Sequence, residues 1–544
     1  MADRRAGLAT LVTLVVAVAL AAGWLAAPPM GTDLSAQVAR ADFFAEHGWA
    51  PIDFRWYGGI SPHGYSLVTP PLMAWLGPRP VGALAAVGSA VALVLLLLRT
   101  GARRPLLGGV LGAVCFTGNL VSGRITFAVG VALGLLALVA VSPGAPGRRS
   151  VVARRVVAGG LAALAAAASP VAGLFVGLAG VALLSLGWPA RELAPRFFRL
   201  SRTQDPALPN QAREEARDTG AAVDGVVLAV GAAVPMAVMA GLFGAGGTMN
   251  ISRDDLLHAV VTSLAVALLV PRRAVRVGAL LSAAGVLAAY LLPTPVGLNA
   301  TRLATMFALP VVAAYAVLPR LRPTVVWLVP VLALLAWWQP PVMDTDLATI
   351  DDPASAAEFF EPLDRELARR PPGRVEVVPT VNYWESAYVA SAPLARGWLR
   401  QADRRWNPLF FDGTLTADTY RDWLVETGVS YVALSTGALS WVGSREAALI
   451  RDGLPYLTPV WRNDDWTLYE VTGATGLVEG PATLVSATAG GVVFDATGAG
   501  EVLVRVRWSR WLSVSGPAEA TLAPAGDWTV VRVTEPGRYE LTSG

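Results

Sequence analysis

Charged residues make up only 15% of this 544-residue chain, so a segment in which several ionisable side chains gather is informative. The segment from residue 28 to 78 contains Asp33, Asp53 and His63, and it holds two of the three histidines in the chain. Carboxylates and imidazoles are the groups that most often transfer protons in catalysis. This segment therefore predicts a polar site next to long apolar runs.

Three further segments each carry an arginine beside an apolar run: Arg124 in NLVSGRITF, Arg253 in NISRDD and Arg302 in PTPVGLNATRLA. The remaining histidine, His258, follows Arg253 by five residues. Charge inside a membrane span is costly, so ionisable groups at that depth usually face a cavity or one another. The planar guanidinium also matches phosphate geometry, so the three arginines together indicate an anion site. The alternative for each one is an arginine that extends to lipid headgroups.

Long apolar helices must position these residues. Hydrophobic residues make up 54% of the chain, which is typical of an integral membrane protein and excludes an ordinary soluble domain. A membrane-spanning helix needs about 17 to 25 apolar residues. We predict eleven such helices, near residues 7–27, 79–98, 105–121, 125–142, 156–168, 171–187, 223–243, 256–270, 275–291, 303–318 and 323–338.

The placement of arginines orients these helices in the plasma membrane. Cytoplasmic loops carry an excess of basic residues, which predicts a cytoplasmic N-terminus and a cytoplasmic loop over residues 188–222. Residues 28–78 then form a large first extracytoplasmic loop. Because the number of spans is odd, everything after Trp338 is predicted to lie outside the cell. The transmembrane domain is thus residues 1–338 of a multi-pass protein.

The composition changes after the last apolar run. Segments such as SYVALST, WTLYEV, EVLVRVRW and WTVVRV alternate apolar and polar residues, which is typical of half-buried strands. AEFFEPLDREL, TADTYRDWLVETG and SREAALIRDGL are predicted to be amphipathic helices, two of them beginning with Ser or Thr caps. We predict an extracytoplasmic α+β domain over residues 339–470 and a small β-rich module over 471–544.

Several functional classes are excluded by composition and motifs. The net charge is only +3 and no basic tail is present, so a nucleic-acid partner is not expected. The single cysteine, Cys115, allows neither an internal disulfide nor a cysteine metal site. The sequence has no nucleotide-binding glycine motif and no zinc-protease motif. No cofactor and no metal site are predicted, although a divalent ion stays open as an alternative that the sequence does not indicate.

The aromatic residues of the first loop have a simpler interpretation. Tryptophan and tyrosine are enriched at membrane interfaces whatever the function of the protein. We therefore interpret Trp49, Trp56, Tyr57, Tyr65 and Trp75 as an interfacial belt.

The chain resembles the GT-C superfamily, the polytopic glycosyltransferases that use polyprenyl-phosphate sugars. The resemblance rests on the charged first loop with its aspartate, the number of spans and the C-terminal domain outside. SPHGYSLVTPPL, SGRITFAVG, PTPVGLNATRLA and ARGWLRQADRRWNPLF resemble more closely a group of uncharacterised actinobacterial integral membrane proteins. Some of these carry a label that relates their membrane domain to a 6-pyruvoyl-tetrahydropterin synthase, which implies no such activity here.

The GT-C resemblance implies a mechanism and a set of site residues. A loop carboxylate acts as general base on an acceptor hydroxyl, which attacks the anomeric carbon of a lipid-phosphate sugar with inversion. Asp33 is the best positional match to that carboxylate and Asp53 is the second choice, although the family often has paired acidic residues where GTDLS has one. The residues implied to contact the substrate are His63, Arg124, Arg253, His258, Asn299 and Arg302.

The resemblance also implies the partners: the lipid bilayer, a polyprenyl-phosphate sugar, and a cell-wall glycan or glycolipid acceptor. Two other classes stay open. A transporter or flippase of envelope lipid or polysaccharide would use the small-residue helices and the break at Ser169–Pro170. A non-catalytic envelope assembly protein would need no base, so the sequence leaves open whether the chain is an enzyme.

Overall fold

The structure is a computed structural model that describes residues 2–142, 150–187, 211–244, 246–317 and 324–544. A helix occurs at each of the eleven predicted spans. These helices are α1 (Ala2–Ala26), α4 (Pro78–Arg99), α5 (Pro105–Val121), α6 (Ile125–Val141), α7 (Ser150–Ala168), α8 (Pro170–Leu184), α9 (Gln211–Phe243), α10 (Arg253–Leu269), α11 (Arg273–Leu291), α12 (Arg302–Tyr315) and α13 (Thr324–Trp338).

Within the described residues, six helices are long and apolar enough to cross a membrane, namely those at α1, α4, α7, α9, α11 and α12. Four shorter apolar helices lie at α5, α6, α8 and α13. The chain is therefore a polytopic helical membrane protein, as predicted. Most of the predicted cytoplasmic loop 188–222 lies outside the described residues, and α9 already begins at Gln211.

The first loop is structured rather than extended. It contains α2 (Leu34–His47) and α3 (Thr69–Leu76). Between them, Trp56 pairs in parallel with Leu394, which also pairs with Val375 of the C-terminal region. The Tyr57 hydroxyl donates to the carbonyl oxygen of Gly397 at 2.6 Å. The segment between α2 and α3 therefore connects the membrane helices to the C-terminal region through these contacts.

This arrangement corrects the interpretation of the aromatic residues. Trp56 and Tyr57 are each only 2% exposed and belong to the core, so they cannot be part of an interfacial belt. Trp49 and Trp75 are 59% and 79% exposed and remain compatible with one. Sequence alone could not separate the two groups, because the burial of Trp56 and Tyr57 depends on residues more than 300 positions away.

The first part of the C-terminal region combines helices with a mixed sheet. The sheet has the strand order β1-β2-β4-β3, in which β1 and β2 are parallel and the other pairs antiparallel. Its strands are β1 (Arg374–Val377), β2 (Val429–Ser435), β3 (Leu457–Arg462) and β4 (Trp466–Val471). The helices are α14 (Asp344–Ala348), α15 (Ala357–Leu367), α16 (Glu385–Tyr388), α17 (Arg400–Trp406), α18 (Ala417–Thr427) and α19 (Ser444–Asp452).

One predicted helix cap is confirmed and the other is wrong. Thr416 accepts a hydrogen bond from the Thr419 amide and caps α18 within a full capping box. At α19 the N-cap residue is Gly443, and the Ser444 hydroxyl instead donates to the carbonyl oxygen of Ser440. Ser444 lies one residue too far into the helix to reach the free amides at its start.

The last part of the chain forms two antiparallel four-stranded sheets that share one core, so the C-terminal end is β-rich, as the predicted fold class has it. Ile52 and Phe54 of the first loop join this core. One sheet has the order β10-β11-β8-β5 and the other β6-β7-β12-β9. The strands are β5 (Val478–Glu479), β6 (Ala482–Ala487), β7 (Gly491–Ala496), β8 (Gly500–Arg507), β9 (Leu512–Ser515), β10 (Ala520–Ala525), β11 (Trp528–Val533) and β12 (Gly537–Ser543).

Candidate active site

Asp33 lies at the centre of the charged cluster. It is the residue before α2, and its Oδ2 atom lies 3.5 Å from Nε of Arg124 and 3.5 Å from Nη2 of Arg302. Three residues that are separated by 91 and 178 positions in the sequence thus meet at one point. Asp33 is only 9% exposed, so its carboxylate is largely shielded from solvent. The helices around it exclude most of the water.

Two helices begin at this cluster. Asp33 precedes α2 and Arg124 precedes α6, whereas α12, whose first residue is Arg302, continues directly from a 3₁₀-helix over Gly297–Thr301. The start of a helix carries partial positive charge and free backbone amides. Together with the two guanidinium groups, these helix ends favour the binding of an anion such as a phosphate.

Two glycines allow the chain segments of the cluster to cross closely. Gly31 and Gly123 both have positive φ angles, of 95° and 73°. A Cβ atom on Gly31 would lie 2.3 Å from the backbone of Ser122, and one on Gly123 would lie 2.3 Å from the backbone nitrogen of Leu34. The crossing lets the Asp33 amide donate to the carbonyl oxygen of Ser122 at 3.1 Å. Any side chain at either glycine would push Asp33 away from Arg124.

The charged atoms of this cluster have unused hydrogen-bonding capacity. Oδ2 of Asp33 and Nε of Arg124 are buried without a hydrogen-bond partner. Neither the Arg124 nor the Arg302 guanidinium donates a hydrogen bond to another residue that the structure describes. The Arg302 guanidinium lies over the ring of Phe127, 5.0 Å from its centroid. An acceptor hydroxyl could therefore donate to Asp33 while phosphate oxygens accept from the arginines.

A second carboxylate supports the first, and sequence reasoning missed it. Asp346 accepts from the Ser122 hydroxyl at 2.7 Å and from the Thr32 amide at 3.1 Å, so it holds both segments that cross at the cluster. Burial raises the pKa of Asp346, while its hydrogen bonds and Arg124 act in the opposite direction. It follows a threonine and precedes a leucine, as Asp33 does. That shared tripeptide was the only signal in the sequence.

Asp53, the second candidate for the base, is engaged elsewhere. Its carboxylate forms a two-pronged pair with Arg55, with an Nη2 to Oδ2 distance of 2.7 Å, and it is 2% exposed. Its backbone pairs with Ile60 in a short antiparallel bridge. A carboxylate held in this way shapes the loop and has little freedom to receive a proton from a substrate.

The two candidate histidines contact aromatic rings. Nε2 of His63 lies 3.1 Å from the carbonyl oxygen of Trp49, and its ring lies 5.2 Å from that of Phe243. Burial lowers the pKa of His63, which favours a neutral ring. His258 packs edge to face on Trp338 with ring centroids 4.6 Å apart. Neither histidine has a described contact with Asp33.

The last two candidate residues differ in whether they are associated with the cluster. Asn299 is 7% exposed, lies three residues before Arg302, and donates to the sulfur of Met249 at 3.2 Å. It therefore helps to position the start of α12. Arg253 is exposed at the start of α10 and makes no contact with the cluster in the structure, which agrees with an arginine that extends to lipid headgroups.

A small cavity borders the charged cluster, and a larger one lies beside α12, the helix that begins with Arg302. A cavity of about 10 Å³, which is room for one water, lies between Arg124, Arg302, Ser122 and Thr305. A second cavity of about 340 Å³ lies among the helices and runs along α12 from Leu303 to Tyr315. The 13 residues from Leu303 to Tyr315 span about 18 Å of helix, more than half of the thickness of the hydrocarbon core of a bilayer. The walls of this larger cavity are almost entirely apolar, which suits a lipid chain.

The cluster does not resemble a metal centre. Within the described residues, no group of three or more His, Cys, Asp or Glu side chains is placed to hold a metal ion. The positive charges at the cluster come from arginines and helix ends. The prediction that the protein needs no metal or other cofactor stays a prediction.

The chain is similar to several solved structures at low sequence identity. The cryo-electron microscopy structure of the arabinofuranosyltransferase AftD from Mycobacteria matches 89% of this chain with 16% identity and a TM-score of 0.45. The crystal structure of ArnT from Cupriavidus metallidurans bound to undecaprenyl phosphate matches 88% with 13% identity and a TM-score of 0.46. Its apo structure matches 84% with 11% identity and a TM-score of 0.39.

The matches cover different shares of these proteins. They cover 41% of AftD, so this chain spans about two fifths of that protein, but 99% of the lipid-bound ArnT chain. No family model and no curated protein matches the sequence. With TM-scores below 0.5, the likenesses leave the function to be argued from the site itself.

Proposed function

We propose that this protein transfers a sugar from a polyprenyl-phosphate donor to a glycan or glycolipid acceptor of the cell envelope, on the extracytoplasmic face of the membrane. The observation that supports this most strongly is the Asp33 carboxylate, which has a free Oδ2 atom between two arginines, beside the starts of two helices. The apolar cavity along α12 begins at Leu303, the residue after Arg302, and suits the lipid chain of the donor.

The proposed mechanism is an inverting one. Asp33 accepts the proton of an acceptor hydroxyl, and the oxygen attacks the anomeric carbon on the face opposite the phosphate. A bond forms between the acceptor oxygen and the anomeric carbon, and the bond from that carbon to the phosphate oxygen breaks. Polyprenyl phosphate leaves with the electron pair. Arg124, Arg302 and the starts of α2 and α6 stabilise the negative charge that develops on it.

Donor binding provides the first test. Replacement of Arg124 or Arg302 by Gln is expected to weaken the binding of farnesyl phosphate by about tenfold to a hundredfold, because each arginine contributes charged hydrogen bonds to the phosphate. The measurement is a titration of the purified full chain in detergent, with membrane insertion and thermal stability checked for each variant.

A matched control is available at Arg79. Its guanidinium donates to the carbonyl oxygens of Trp24 and Ala27 at the end of α1, so it is an arginine at the membrane edge that already has partners. Arg79→Gln should leave farnesyl phosphate binding unchanged. Wild-type binding in both the Arg124 and Arg302 variants would show that these arginines contact lipid headgroups only. Lipid movement in vesicles without transfer of any sugar would favour a flippase.

The orientation of the chain is testable with cysteines. Cys115 is 1% exposed, so the wild-type protein has little background reactivity. Ser444 and Arg103 are exposed at opposite ends of the proposed topology. A cysteine at position 444 should react with an impermeant maleimide in intact cells, whereas one at position 103 should react only after permeabilisation. The reverse pattern would place the site on the cytoplasmic face.

A further inference from the structure

Arg40 is a buried cation close to the charged cluster that the mechanism above does not use. It lies on α2, seven residues after Asp33, and is only 4% exposed. Seven residues are two turns of a helix, so the two residues share one face of α2 and are separated by about 10 Å along its axis. That distance is comparable to the length of one or two sugar rings.

Among the described residues, no carboxylate lies within ion-pair distance of Arg40, although Asp53 and Asp33 act on it at longer range. Arg40 forms no ion pair and no hydrogen bond with any residue in the described part of the chain, and its Nη1 atom is buried without a partner. The nearby carboxylate of Asp53 is taken by Arg55. Burial lowers the pKa of Arg40, although an arginine stays charged at neutral pH. A buried guanidinium without hydrogen bonds is costly unless a ligand supplies oxygen atoms.

Aromatic rings hold the guanidinium in place. It lies 3.8 Å from the ring centroid of Tyr65 and 5.1 Å from that of Trp398, and these two rings meet edge to face. Such stacking fixes the plane of the guanidinium but satisfies none of its N–H groups. The fork is therefore oriented before any ligand binds, as a specific binding group should be.

The same rings connect Arg40 to the cluster. The indole of Trp398 donates to the carbonyl oxygen of Thr32 at 2.7 Å, next to Asp33. The Thr126 hydroxyl, two residues after Arg124, donates to the Tyr65 hydroxyl at 3.5 Å. Arg40 is thus held by residues that contact Thr32, next to Asp33, and Thr126, two residues after Arg124.

We propose that Arg40, held by Tyr65 and Trp398, forms a sugar-binding subsite in which its guanidinium donates hydrogen bonds to oxygen atoms of a sugar. This inference rests on the proposed function, because the sugar is the transferred group or the acceptor ring beside it. Both have the same chemistry, an edge rich in hydroxyl oxygens. Arg124 and Arg302 bind the phosphate, whereas Arg40 distinguishes a lipid that carries a sugar from one that does not.

The test compares sugar-bearing and sugar-free probes. Farnesyl phosphate and its mannose, arabinose and glucose derivatives are titrated against the purified full chain. The wild type is expected to bind its preferred sugar-bearing probe about tenfold to a hundredfold tighter than farnesyl phosphate. Arg40→Gln should remove this preference and leave farnesyl phosphate binding unchanged. Arg40→Lys should restore part of it, since lysine keeps the charge but loses the planar fork.

A second titration separates the two sources of the sugar. Methyl glycosides of the same sugars are added to protein saturated with farnesyl phosphate. Loss of glycoside binding in Arg40→Gln assigns Arg40 to the acceptor, and loss of the preference for lipid-linked sugar assigns it to the donor. Arg124→Gln serves as the contrast, because it should weaken all phosphate-bearing probes alike and leave the preference for a sugar intact.

Three results would overturn the proposal. The wild type could bind sugar-bearing and sugar-free probes equally, or Arg40→Gln could bind every probe as the wild type does. In the third result, Arg40→Gln would also fail to bind farnesyl phosphate and would melt at a lower temperature, which would show that Arg40 has a purely structural role. If sugar binding depends on Arg40 but no transfer occurs, the subsite stands and only the catalytic proposal fails.

Discussion

Replacement of Asp33 by Asn is expected to lower the rate of sugar transfer by about a hundredfold to ten-thousandfold, which is the usual cost of removing a general base. The amide keeps the size of the side chain but cannot accept the proton. Because the variant also removes a negative charge that lies 3.5 Å from both arginines, the donor phosphate should bind as tightly as in the wild type or tighter. The expected result is a lower kcat without a higher KM for the donor.

Two other carboxylates provide controls for this experiment. Asp53→Asn alters a carboxylate that is paired with Arg55, and Asp346→Asn alters one that accepts from Ser122 and Thr32. Both variants are expected to lower the stability of the protein more than they lower the rate of sugar transfer. A rate that survives Asp33→Asn but not Asp346→Asn would move the base to Asp346. A rate that is lost only in Asp53→Asn would move the base to Asp53.

Replacement of Arg396 by Met is expected to destabilise the C-terminal region by about 3 to 5 kcal/mol, the usual cost of breaking a buried ion pair on one side. Arg396 is 3% exposed, and its guanidinium lies 3.0 Å from Glu376 and 3.5 Å from Glu446. Asp403 lies 4.0 Å away. Methionine fills a similar volume but leaves three carboxylates without a cation. The measurement is urea unfolding of the full chain, followed by tryptophan fluorescence.

The loss of stability in the Arg396→Met variant should depend on pH in a defined direction. Burial raises the pKa of Glu376, Glu446 and Asp403, and Arg396 opposes this effect. A carboxyl whose pKa is higher in the folded state binds more protons there, so stability falls as pH rises from about 4 towards the folded pKa. The Arg396→Met variant should therefore be least stable at alkaline pH and recover on acidification.

An exposed arginine provides the control for Arg396. Arg532 pairs with Glu501 at 2.8 Å, but both side chains are more than half exposed. Arg532→Met should cost at most about 1 kcal/mol, as surface ion pairs do. Equal losses in the two variants would show that the cluster around Arg396 contributes no more than a surface pair. A loss that does not depend on pH would contradict the role of the buried carboxylates.

Much of the architecture followed from local sequence patterns. Each of the eleven apolar runs is a helix, because a chain in a bilayer must satisfy its backbone hydrogen bonds within each segment. The alternating segments became β2, β4, β8 and β11. Strands β3 and β10 were not predicted, since each contains a proline that interrupts the pattern. Arg124 and Arg302 were singled out because a charged residue beside an apolar run stands out in sequence.

Only the tertiary structure decided which charged residues meet. It placed Asp33 between Arg124 and Arg302, added Asp346 from a segment 314 residues after Thr32, and engaged Asp53 with Arg55. Hydropathy and periodicity report how each segment is buried on average. The approach of two side chains depends on how helices cross, and here on glycines that let backbones touch. The sequence by itself determined the membrane helices and the candidate residues, whereas packing across hundreds of residues decided which of them form a site.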